Sequence, residues 1–402
     1  MVPETAEAGR RRAAIVILGA LQILAWGSSF YLLGVLAGPI AAETGWPSSF
    51  VVGGLSIALL IAGLASPRVG RAIQAHGGRP VLAASSLLFA LGLGAMAAAP
   101  LLPVYLLGWA VLGLAMACGL YDPAFATLGR QYGHAARRMI TFVTLFGGFA
   151  STVSWPATAW LLEAHGWRAA CWTYAAIHLG IGAPLYWFCL PRRPPALEAM
   201  PPAPASTIPE LPLDRQPVAL ALLGLILTIG AVTLSMMSMH LLTLLQARGL
   251  DLAAAVALGA LIGPSQVAAR IAEMAIGRQF HPLWAMLSGV ILVAAGILLL
   301  WAGFPLIALA LIAYGAGNGI SSIVRGTVPL VLFGPGRYAP LMGRLGLPIL
   351  IGMAIAPMLG ALLIDAGGAA LTFGVMAGAS VVNVGLTVGL GWWCWNAVTD
   401  RR

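Results

Sequence analysis

Charge is what this chain has least of: charged residues make up 8% of its 402 positions, while 60% are hydrophobic and mean hydropathy is +0.94. A soluble domain carries about 25% charged residues to stay dissolved, so this scarcity excludes a soluble globular enzyme and implies a surface built for lipid. Lysine is absent altogether, and the net charge of +9 comes from arginine alone. Those arginines stand in short clusters between apolar runs instead of forming one basic face, which argues against a nucleic-acid partner. Cysteine is scarce too. Cys118, Cys171, Cys189 and Cys394 lie singly within apolar runs, without a C-x-x-C spacing, and read as small buried hydrophobes. Also missing are the short alternating segments of about 10 residues that make an outer-membrane barrel. No H-E-x-x-H or comparable constellation of nucleophile, base or metal ligands is found, so neither an enzyme nor a cofactor is expected. A receptor's soluble output domain is not seen either.

What is present is a series of long apolar runs, each near the roughly 20 residues a helix needs to cross about 30 Å of hydrocarbon. They fall at approximately 13–39, 48–67, 80–99, 103–128, 139–162 and 168–190, and again at 217–246, 252–276, 283–302, 305–333, 340–364 and 370–396. The run after Arg10-Arg11-Arg12 exceeds a signal-peptide core and lacks a small-residue cleavage site, so it reads as an uncleaved first span. Between the two sets, 191–216 is dense in proline (PRRPP, MPPAPAS, IPELP), which prevents helix and leaves an extended linker. The expected organisation is a cytoplasmic tail at 1–12, a six-helix bundle at 13–190, a linker at 191–216, a second bundle at 217–396 and a tail at 397–402. Sixteen arginines fall in the loops and tails of one side, against Arg168 and Arg248 on the other. By the positive-inside rule both termini are cytoplasmic, in a plasma membrane of bacterial inner-membrane type.

The halves echo each other. Pro156, Leu161-Leu162 and Gly166 recur at the same offsets as Pro357, Leu362-Leu363 and Gly367. Gly70-Arg71 with His76 beyond is matched by Gly277-Arg278 with His281 beyond. Such matches in corresponding spans support a duplicated six-helix unit.

On these residues the chain resembles the major facilitator superfamily over nearly all its length. The loop Gly70-Arg-Ala-Ile-Gln74-Ala-His-Gly77-Gly78-Arg79 is similar to that family's G-x-x-x-D-R-x-G-x-R signature. Gly147-Gly148, Trp155-Pro156 and Gly166-Trp167-Arg168 resemble its fifth helix, and Gly343, Gly352, Pro357 and Gly360 its eleventh. The resemblance implies an all-α membrane protein of about twelve transmembrane helices in two pseudo-symmetric bundles. It also implies a secondary transporter working by alternating access, expected to function as a monomer in the bilayer. Two departures stand out: Gln74 replaces the signature aspartate, and Trp109, ahead of Gly113, replaces the arginine of many proton-driven drug antiporters. They turn the resemblance away from drug efflux.

Charged residues inside spans are costly and so mark candidate sites. Gln266, Arg270 and Glu273 share one helix face by their i, i+4, i+7 spacing, with Arg270 roughly 10 Å deep at ~1.5 Å per residue. Arg325 lies at similar depth in the most polar stretch of any span, with Asn318, Ser321, Ser322 and Thr327 around it. Two such arginines can hold a carboxylate through bidentate contacts, or Arg270 can pair with Glu273 and Arg325 with Asp122 as a gate. Glu273 and Asp122 are the proton-coupling or gating candidates. Gln22, Trp26 and Ser29 share a face of the first span suited to lining a pathway, or equally to helix packing. Met236 and His240, an i, i+4 pair, could hold soft Cu(I), but no second such pair accompanies them, and His178 reads as a packed histidine. The expected substrate is a small organic anion, monocarboxylate-like, with protons or the substrate's own gradient as driving force; a copper importer or a drug efflux permease is the alternative.

Overall fold

The computed structural model describes residues 4–191, 211–276 and 280–399, and these are helical with no strand among them. Most of the 191–216 linker, the Gly277-Arg278 match and the extreme termini lie outside the described residues. In order the helices are α1 (Glu4–Gly27), α2 (Leu33–Thr44), α3 (Ser48–His76), α4 (Gly78–Ala97), α5 (Leu102–Gly119) and α6 (Tyr121–Tyr132). They continue with α7 (Ala136–Gly148), α8 (Ala150–Ile177), a π-turn (His178–Gly182) and α9 (Ala183–Cys189). Then come α10 (Gln216–Gln246), α11 (Leu252–Gly259), α12 (Ile262–Ile276), α13 (Pro282–Trp301), α14 (Ile307–Phe333) and α15 (Tyr338–Thr399). Among the described residues eight helical runs are long and apolar enough to cross a bilayer. Two of those, of 88 and 59 residues, are far longer than one crossing needs.

The chain forms two compact units. The described residues within Met1–Pro202, together with Pro335–Leu347, make the first; those within Ala203–Gly334 and Pro348–Arg402 make the second. In the first, α3, α4 and α5 pack on one another, and α1 packs on α7 and α8. In the second, α14 is the hub against which α12 and α13 lie. Large apolar side chains point outward from both, among them Leu91, Leu107, Trp160, Phe188, Met358 and Trp395. That inversion is stable only against hydrocarbon.

Local sequence explains where the helices break. Ser28 and Ser29 each donate to a carbonyl four residues back, Leu24 and Ala25, at 2.8 and 2.5 Å. Such back-bonding competes with the helical ladder, and a turn at 28–32 separates α1 from α2. Leu120 is extended between α5 and α6 because Pro123 has no N–H to continue the ladder. Gly166, at φ 82°, and the Gly367-Gly368 pair kink the long helices α8 and α15. Only glycine adopts positive φ without strain, as Gly166 and Gly368 do.

Candidate functional site

The breaks free backbone groups, and polar side chains of neighbouring helices satisfy them. The amide missing at Pro123 would have bonded to the carbonyl of Gly119. Gln22 on α1 donates to that carbonyl instead, at 2.8 Å, from a wholly buried position. In the second unit Pro357 orphans the carbonyl of Met353 in the same way, and Ser235 on α10 donates to it at 3.0 Å. In each unit, then, a polar residue of the first helix of the half completes a proline-broken partner. Each pairing supplies a donor to a carbonyl that proline leaves without one.

The second unit holds the deepest charge. Glycines at 315 and 319 let α14 approach α12 backbone to backbone: a β-carbon on Gly315 would lie 2.8 Å from the carbonyl oxygen of Ile262, and one on Gly319 would lie 2.9 Å from Cα of Gln266. Arg270 reaches across this seam and is only 5% exposed. Its Nε donates to Ser322 Oγ at 2.9 Å and to the Gly319 carbonyl at 3.3 Å, and its Nη2 donates to Gln266 Oε1 at 3.4 Å. Ser322 in turn donates to Gly319 O at 2.7 Å. Arg325 follows Ser322 by three residues on α14 and is half-buried. Glu273 stands half-buried three residues beyond Arg270, and Asn318 Nδ2 donates to Tyr314 O at 3.0 Å on the same α14. The structure places Gln266 Oε1 against Arg270, with Ser322 and the Gly319 carbonyl as further partners of the guanidinium. The sequence placed Ser322 only in the polar stretch around Arg325; the glycine spacing that brings it to Arg270 was the available signal.

In the first unit the interruptions at 28–32, 120 and 149 gather aromatic rings. Trp26 lies 5.1 Å from Tyr121 and 5.5 Å from Phe30, and Tyr31 meets Trp155 edge-on at 6.1 Å. Trp155 Nε1 donates to the Tyr31 carbonyl at 3.1 Å, a group that the turn exposes. Beside Trp155 a groove of about 510 Å³ is lined by Gly34, Val35, Ser151, Thr152, Pro156 and Ala159. Trp26 borders this cluster half-buried, whereas Ser29 and Gln22 are fully buried within the bundle.

The signature loop organises the end of α3. Gly70 sits against the backbone of Gly343, so a β-carbon there would be 2.5 Å from Ala339 O. Gln74 Nε2 donates to Gly336 O at 3.2 Å, and Arg130 Nε donates to the Gln74 carbonyl at 3.1 Å, capping the last turn of α3. An uncharged amide therefore makes the contact at the position where the family signature has aspartate. Gly77, at φ 87°, turns the chain into α4, and Arg79 lies over the Trp187 ring at 4.7 Å. Asp122 is 7% exposed in the first turn of α6, facing Gly346 and Tyr338. Trp109 is fully buried against the bare face of Gly54.

Met236 belongs to an apolar core with Met237, Leu244, Tyr314 and Phe373. His240 bonds through Nε2 to Pro357 O at 2.8 Å, which ties that nitrogen to the kinked α15. No group of three or more His, Cys, Asp or Glu suited to a metal occurs among the described residues.

The model of the Major Facilitator Superfamily matches residues 15–280. A human (Homo sapiens) protein, monocarboxylate transporter 11, is 32% identical over 168 residues; the match covers 39% of this chain and 32% of that protein. The crystal structure of the human organic anion transporter MFSD10 (TETRAN) superposes with a TM-score of 0.73 at 18% identity, covering 96% of this chain and 100% of that one. The proton:xylose symporter XylE, bound to 6-bromo-6-deoxy-D-glucose, gives 0.70 at 13% identity, over 92% and 94%. FucP in its outward conformation gives 0.70 at 13%, over 94% and 98%. At such identities the structures speak for the fold alone.

Proposed function

The chain belongs to the Major Facilitator Superfamily and is a multi-pass membrane protein, and on that premise we propose that it is a secondary transporter moving a small, monocarboxylate-like organic anion by alternating access. The observation that carries this is Arg270, almost wholly buried in an apolar chain yet held by Ser322 Oγ, the Gly319 carbonyl and Gln266. An intramembrane cation kept at that cost is a binding residue by default, and its planar fork matches a carboxylate. Arg325, one helical turn from Ser322, supplies the second cation, and Asn318 and Gln266 supply neutral polar groups. Trp26, Gln22 and Ser29 of the first unit are assigned to lining the pathway on the sharing of one helix face alone. Glu273 is the coupling carboxylate, three residues from Arg270, and Asp122 has the gating role. Over the matched 39% of the chain, the likeness to monocarboxylate transporter 11 supports the same substrate class. The protein works as a monomer in a bacterial inner membrane, with both termini cytoplasmic.

The test is ligand-induced thermal stabilisation of the purified protein by lactate, pyruvate and benzoate, set beside Cu(I) and a cationic dye. Stabilisation by a carboxylate, lost in Arg270→Gln, is expected; removing hydrogen bonds to a charged group, about 1.5–3 kcal/mol, weakens binding about 10- to 100-fold. Stabilisation by the dye or Cu(I) alone would overturn the anion assignment.

A further inference from the structure

The sixth passage of the first unit carries an unusual local structure at a buried histidine. Helix α8 runs into the π-turn His178–Gly182, where the N–H of Ala183 bonds to the carbonyl of His178, five residues back. Such turns occur preferentially where a helix makes room for something. His178 is 2% exposed, stacks on Phe89 at 4.6 Å between centroids, and meets Ser28 Oγ through Nε2 at 2.8 Å. Ser28 has one hydroxyl proton, and it is directed to the Leu24 carbonyl at 2.8 Å. With the hydroxyl proton so placed, the imidazole donates from Nε2 and Nδ1 is left as a bare acceptor. Nδ1 has no partner among the described residues, nor has Ser86 Oγ, whose residue is 1% exposed. Both atoms border the same uncovered face of Gly182: a β-carbon there would stand 2.7 Å from Ser86 Oγ and 3.6 Å from His178 Nδ1.

Two buried polar atoms facing one glycine call for a ligand that can donate to a nitrogen and also pair with a hydroxyl. Leaving both unmade would cost about 1–3 kcal/mol each. A bare cation cannot donate, and no carboxylate lies among the contacts of His178. We propose that the π-turn of the sixth passage is an internal water site. One water molecule donates to His178 Nδ1 and hydrogen-bonds Ser86 Oγ. It fixes the tautomer through which His178 holds Ser28, the first residue of the 28–32 turn. His178 is thus a positioning residue for the interrupted first passage.

Histidine-selective ¹⁵N NMR of the full chain in lipid nanodiscs tests this, with His178→Gln assigning the signals. The expected spectrum shows His178 protonated at Nε2, with an unprotonated Nδ1 shifted to the hydrogen-bonded position and receiving magnetisation from water. Both Ser86→Ala and Gly182→Ala should move Nδ1 towards the bare-imine position. The second does so by placing a methyl in the gap; the first adds no bulk, so it keeps the test open if the glycine variant does not fold. A proton on Nδ1, a bare-imine shift in the wild type, no transfer from water, or an unmoved signal in Ser86→Ala would each overturn the site.

Discussion

Gln22 shows how far one side chain can be read. The proline at 123 announces in the sequence that a carbonyl four residues earlier loses its donor, but not who replaces it, because the donor stands 97 residues away. Gln22→Leu should destabilise the protein by about 1–3 kcal/mol, the cost of a buried unpaired acceptor, seen as a lower thermal midpoint in detergent. Adding Pro123→Ala restores an N–H to the ladder and should recover most of that loss. Strictly additive losses in the double variant would contradict the pairing. Glu273 belongs to this scale as well. If it carries the coupled proton, Glu273→Gln should retain exchange of labelled substrate across liposomes but lose accumulation driven by a pH gradient. Equal loss of both would assign the carboxylate a structural role.

Helices were legible from the apolar runs, because lipid demands long unbroken hydrophobic stretches, and the serine pair at 28–29 and Pro123 explain their interruptions. The seams between helices were harder. Gly315 and Gly319 are two among 50 glycines, and only the packed helices show that these two face Ile262 and Gln266. Gly319→Ala should force α12 and α14 apart; overpacking costs typically about 1–3 kcal/mol. The same shift should also move Ser322 away from Arg270 and weaken carboxylate binding. A variant with wild-type stability and binding would mean that the seam is not rigid. Gly70→Ala tests the signature loop in the same manner, since its methyl would meet the backbone at Ala339. Gln74, which stands in place of the signature aspartate, makes a neutral contact with Gly336, so Gln74→Leu should lower stability without changing salt sensitivity.

At the scale of the whole molecule, composition alone excluded the soluble classes, and the family resemblance rested on the Gly70–Arg79 loop and the glycine-proline pattern of two helices. The substrate was less legible, because a binding residue in a membrane helix is marked only by its cost. Arg270 and Arg325 carry that mark in the sequence, while Ser322 does not, a serine being cheap enough to occur anywhere. The central claim is that Arg270 binds an organic anion during transport. Counterflow of labelled lactate, pyruvate or benzoate into proteoliposomes tests it most directly, comparing wild type with folded Arg270→Gln and Arg270→Lys. The account predicts uptake of a carboxylate by the wild type, loss in the glutamine variant and partial activity in the lysine variant. Undiminished carboxylate counterflow by Arg270→Gln would contradict it.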